Sequence, residues 1–177
     1  MKYRVFTPVL IILVAVACVK IQPVSPIPEI HFKSLEAGIY YDSLLDQNLP
    51  GAKLVFSFVD GDADFGVYQQ TLNVTSNPDS IYNIFLQPYY KIDSTYYLIE
   101  IDPNDTVHPP PYYRVFEDPK LDRVGQNKTI KGDITITLTD LPEYDTIRYE
   151  FYIRDRAGHK SNVETTTDIG VKGLLNP

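Results

Sequence analysis

The chain is short of the residues on which most chemistry depends. Its 177 residues include one cysteine, no tryptophan and three histidines. A lone cysteine excludes an internal disulfide, so stability has to come from a packed core. His31, His108 and His159 are too scattered to make metal-ligand spacing. No nucleophile elbow, phosphate loop or dinucleotide fingerprint occurs, which argues against an enzyme. No spacing singles out a carboxylate pair for hydrolysis. Positive charge is scarce as well. The formal net charge of −7 argues against a nucleic-acid partner and gives no attraction to anionic surfaces. Beyond the first eighteen residues no helix-period stretch exceeds two turns.

The N-terminus is the first positive signal. Lys2 and Arg4 precede an apolar run, Val9 to Ala17, that is too short to span as a mature helix, and small residues lead into Cys18. Residues 1–17 therefore read as a secretory signal peptide. Ala15-Val16-Ala17-Cys18 resembles the lipobox of bacterial lipoproteins. That resemblance implies lipidation of Cys18, which becomes the mature N-terminus and attaches the chain to a membrane. The mature chain then has no thiol, and loss of Lys2 and Arg4 takes its charge to −9. In lipoproteins of the Bacteroidota an acidic run after the cysteine accompanies export to the cell surface. Here Val19-Lys20-Ile21-Gln22 carries no acid, which implies the periplasmic face of the outer membrane. Residues 18–28, with three prolines, read as a tether. Residues 29–173 form the domain.

The most informative stretch is Lys53 to Gly66. Leu54, Phe56 and Phe58 alternate with Lys53, Val55, Ser57 and Val59, the pattern of a half-buried strand. Asp60, Asp62 and Asp64 follow at alternate positions. Three carboxylates this close repel one another unless water or a cation screens them. Hard cations such as calcium take several oxygens at about 2.3–2.6 Å, and alternating aspartates can supply them. The loop is no EF-hand, because Phe65 and Thr71 stand where that loop needs glycine and glutamate. Any site needs further ligands. A solvated acidic turn and a structural cation site both remain open.

Further strands are expected at Glu29–Ser34, after Gly66, at Ile81–Ile92 and Thr95–Ile101 as a hairpin, at Tyr112–Phe116, Ile130–Leu141, Ile147–Arg154 and Asn162–Ile169. Residues 35–52, with Asn48-Leu49-Pro50-Gly51, read as irregular. The result is one all-β domain, an antiparallel sandwich of about seven to nine strands.

The run from Leu141 to Asn162, LPEYDTIRYEFYIRDRAGHKSN, resembles the final hairpin of immunoglobulin-like and fibronectin type III sandwiches. Tyr149 is a candidate for their corner tyrosine, the alternative being a plain buried tyrosine of the core. Together with FVDGDADFG and the run Ile130–Ile134, it resembles a family of uncharacterised Bacteroidota lipoproteins with an immunoglobulin-like fold. The resemblance implies no activity, but it implies a geometry. The loop after the second strand and the loop between the last two share one end. Asp60, Asp62 and Asp64 would then face Asp155, Arg156, His159 and Asn162. Asp155 could add a calcium oxygen, or Arg154 or Arg156 could pair with the acidic loop without metal.

Five Asp-Ser/Thr motifs resemble the O-glycosylation signal of exported Bacteroidota proteins, with acceptors Ser43, Ser80, Ser94, Thr106 and Thr146. Paired tyrosines put one ring of each strand pair outward, which offers Tyr89, Tyr96 and Tyr113 for protein or glycan contacts. Three functions follow. The first is a non-catalytic, lipid-anchored binding or assembly module meeting an envelope protein. The second is a glycan-binding accessory lipoprotein. The third is a calcium-dependent enzyme, which requires a concave pocket beside the acidic loop.

Overall fold

A computed structural model describes residues 24–42, 45–68, 81–102, 110–117, 128–139 and 141–171. Two antiparallel sheets face each other, and no helix occurs among the described residues. One sheet holds β1 (Glu29–Asp42), β2 (Gln47–Asp60) and β6 (Ile130–Leu138) in the order β1-β2-β6. The other is built on β3 (Ile84–Ile92) and β7 (Thr146–Ile153). β4 (Thr95–Leu98) and β5 (Tyr112–Tyr113) flank β3, and β8 (Glu164–Thr165) and β9 (Ile169–Gly170) flank β7. The expected all-β antiparallel sandwich is what the described residues form.

Alternation decides what is buried. Ile147, Tyr149, Phe151 and Ile153 of β7 point inward against Leu54 and Phe56 of β2 and Ile134, Ile136 and Leu138 of β6. At the centre, the Phe56 and Phe151 rings lie 5.1 Å apart.

The first hairpin is longer than expected. β1 runs to Asp42, and β2 begins at Gln47. The supposed turn at Asn48–Gly51 is paired strand, with Gly38 opposite Gly51 and Ile39 opposite Pro50. A bulge between Phe32 and Ser34 is the cause. It moves the inward face from Ile30 and Phe32 to Leu35, so the alternation breaks in sequence although the strand continues. Pro50 is tolerated because β6 reaches only to Ala52, leaving that part of β2 with a partner on one side.

The β3–β4 hairpin turns at Asp93-Ser94, with Asp93 at φ 52°. Of the strand expected after Gly66, the described residues show a single parallel bridge from Val67 to Phe116; residues 69–80 lie outside the described ones. Residues 24–28 pack against the sandwich. Pro28 is buried, and Ser25 O accepts the Gly61 N–H at 3.1 Å.

Candidate cation site at the acidic end

β2 carries Asp60 to the end of the sandwich as its last residue, fully buried. The chain then turns sharply, with Ala63 at φ 59° and Gly66 at φ 114°. Gly66 has a second constraint, since a Cβ there would lie 2.9 Å from the Glu117 backbone nitrogen. Positive φ at Ala63 is uncommon for a residue with a side chain, and such strain often marks a site.

The turn folds the three carboxylates together. One oxygen from each of Asp60, Asp62 and Asp64 lies within 4.8 Å of the other two. Two ligands of one calcium ion can be about 4.6–5.2 Å apart at most, so this spacing fits a shared cation. Asp60 Oδ2 accepts the Phe65 N–H at 2.8 Å. Oδ1 of Asp60, of Asp62 and of Asp64 is shielded from solvent and has no hydrogen-bond partner. A buried polar atom left unpaired is costly.

The electrostatics agree. Asp60 is pushed up to about 6, first by burial and then by the neighbouring carboxylates of Asp62 and Asp64, against the pull of the Phe65 N–H. Asp64 is also raised, by burial and by the charges of Asp155 and Asp62. The donor set is hard oxygen throughout, which suits a hard cation.

The β7–β8 loop meets this cluster, but its side chains are committed differently from the expectation. Asp64 O accepts the Arg156 N–H at 3.3 Å, and Asp64 Oδ2 accepts the Ala157 N–H at 3.0 Å. Asp155 is buried and holds His159 with both oxygens, at 2.7 Å from the backbone N–H and 2.9 Å from Nδ1. Asp155 therefore adds negative charge beside the site while its oxygens are engaged. That bond, with the charge of Asp155, raises the His159 pKa. Arg156 turns its guanidinium to Gly66 O at 3.1 Å and lies 4.6 Å over the Tyr68 ring. Arg154 stacks over Phe85 on the outer sheet face. Asn162 serves β1: its Oδ1 accepts the Ile30 N–H, and its Nδ2 donates to Ile30 O. Compared with family models, with curated proteins and with solved structures, the chain matches none.

The N-terminal segment closes the site from a third side. A Cβ on Gly61 would lie 2.2 Å from Ser25 O and 2.5 Å from Val24 O. Gly61→Ala is expected to push residues 24–25 off the loop. Limited proteolysis ahead of Pro28 should speed up severalfold while the sandwich stays folded. An unchanged cleavage rate would show that the segment does not depend on this contact.

The tyrosine candidates separate. Tyr89 and Tyr96 share the outer face of the second sheet, but both are engaged. Arg148 lies 3.4 Å over the Tyr96 ring, Tyr96 OH donates to Asp168, and Tyr89 OH donates to Glu150. Tyr113 packs against the core between the sheets. The three therefore make no common exposed platform. Sequence reasoning missed the Arg148–Tyr96–Asp168–Lys91 network, because its members come from three strands and a loop. Of the glycosylation candidates, Ser94 is exposed at its turn and Thr146 is half-buried at the start of β7. Ser43, Ser80 and Thr106, like the lipidation candidate Cys18, lie outside the described residues.

Proposed function

We propose that the protein is a non-catalytic binding or assembly module of the bacterial outer membrane, an immunoglobulin-like sandwich held by a lipid on Cys18. A calcium ion is bound at its acidic end by Asp60, Asp62 and Asp64. It belongs with the Bacteroidota lipoproteins that its sequence resembles. The observation that carries the calcium reading is the set of three buried, unpartnered carboxylate oxygens packed within reach of one cation.

The anchor then sets an orientation. Ser25, bonded to the acidic loop, is seven residues from Cys18. Seven extended residues reach about 25 Å, so the acidic end lies close to the bilayer. The paired ribbon at the other end of β1 and β2, with Ile39, Tyr41 and Leu45 exposed, faces away from it.

The test is a thermal melt of residues 19–177, a fragment that keeps every described residue, in chelator and in excess calcium. A ligand at a hundred times its dissociation constant stabilises by about 2.7 kcal/mol, a rise of several degrees for a domain of this size. The rise should vanish in Asp62→Ala. No rise in the unmutated fragment would reduce the cluster to an acidic turn.

A further inference from the structure

The acidic loop is held from two sides, and one of them is the N-terminal segment. The second half of the loop is tied to the β7–β8 loop. Asp64 O accepts the Arg156 N–H, Asp64 Oδ2 accepts the Ala157 N–H, and Gly66 O accepts from the Arg156 guanidinium. The first half is tied elsewhere. Among the described residues, Gly61 N–H donates to Ser25 O at 3.1 Å, and Thr129 Oγ1 donates to Gly61 O at 3.4 Å. Gly61 stands between Asp60 and Asp62, so the segment grips the backbone that presents two of the three carboxylates. The contact is backbone on backbone, since a Cβ on Gly61 would also lie 2.7 Å from the Ser25 carbonyl carbon.

Burial gives the segment little hold of its own. Val24, Ser25, Pro26 and Ile27 are all exposed, and burial begins at Pro28. The Ile27 N–H donates within the segment, to Ser25 Oγ at 3.0 Å. With so little apolar area removed from water, docking of residues 24–27 depends on the shape of the loop at Gly61. That shape depends in turn on charge. Asp60, Asp62 and Asp64 repel one another when they share no cation, and positive φ at Ala63 stores strain that a relaxed loop would release. A cation bridging all three joins the half held by Ser25 to the half held by the β7–β8 loop.

We infer that the cation site and the N-terminal segment form one clasp. With calcium bound, residues 24–27 stay docked on the loop; without it they are released as far as Pro28. The inference rests on the calcium reading above and, for its consequence, on lipidation of Cys18. Ser25 is seven residues from Cys18 and Pro28 is ten, which when extended is about 25 Å against about 35 Å. Calcium thus sets how far the sandwich can stand from the bilayer. Such coupling is reciprocal, so a docked segment also raises calcium affinity.

Spin-label mobility in residues 19–177 tests the clasp. This fragment contains no cysteine, so Val24→Cys or Ile27→Cys gives a single site for a nitroxide. Calcium is titrated while the nitroxide spectrum is recorded, and calorimetry of the same protein follows binding. Both labels are expected to be mobile in chelator and immobilised in calcium, with the midpoint of the calorimetric curve. A label at Ser94→Cys, on the exposed β3–β4 turn, should not respond. Gly61→Ala should leave the label at position 24 mobile in calcium and weaken calcium binding about fivefold or more. Calcium binding with unchanged mobility at positions 24 and 27 would overturn the clasp and leave the calcium site standing. Immobilisation that survives Gly61→Ala would also overturn it, because calcium would then act without this contact. No calcium binding by calorimetry would overturn both readings.

Discussion

Phe151→Ala is expected to remove about 3–5 kcal/mol of stability, the usual range for a phenylalanine deleted from a core. Phe151 has no exposed surface. Its ring contacts Phe56 at 5.1 Å and Phe32 at 6.5 Å, both from the opposite sheet. On its own sheet it pairs with Leu86. The cavity would open between two sheets whose backbones are fixed by their ladders, so little collapse can fill it. Domains of this size are commonly stable by about 5–15 kcal/mol, and no disulfide supports this one. The urea midpoint should fall by about a fifth or more, with the slope of the transition unchanged. A loss below about 1 kcal/mol would mean that the sheets can close over the gap.

Asp60→Asn should have opposite effects in chelator and in calcium. Without a cation, a folded-state pKa of about 6 lies above the ordinary value of 3.8. Between those values the native state keeps a proton that the unfolded chain has lost. Stability therefore falls as pH rises through that window, and the full penalty remains above pH 6. Its size is on the order of 2–3 kcal/mol. His159 acts in the same direction. Its raised pKa means that the stabilisation from its Asp155 contact is present at low pH and is lost as pH rises through that value. Asparagine keeps an acceptor for the Phe65 N–H and removes the buried charge. In chelator at pH 7 the variant should melt higher than the unmutated chain, and its stability should vary less between pH 4 and 7. In calcium it should melt lower, because a ligand is missing. A variant that is less stable in chelator at pH 7 would show that the Asp60 charge is already compensated.

Local pattern determined a good deal about this protein. Alternation over Leu54–Phe58, Ile134–Leu138 and Ile147–Ile153 was enough to identify the core strands and their inward faces, because a strand with one buried face must alternate. Turn chemistry placed Asp93-Ser94. The acidic loop stood out because three carboxylates in five residues need an explanation wherever they lie. Tertiary structure decided the rest. A bulge near Lys33 hid most of β1, since one extra residue reverses the alternation without ending the strand. Which oxygens of Asp60, Asp62 and Asp64 are buried depends on a backbone turn through Ala63. The commitment of Asp155 to His159 depends on a second loop folding back on itself. A cleft of about 740 Å³ on one flank of the sandwich has no sequence signature at all. Glu100 and Asp102 come from the β4–β5 connection, Tyr113 from β5 and Glu143 from the β6–β7 connection, and only the gap between two sheet edges brings them together. Periodicity reports which side of a strand is dry, whereas a site is made where different strands end.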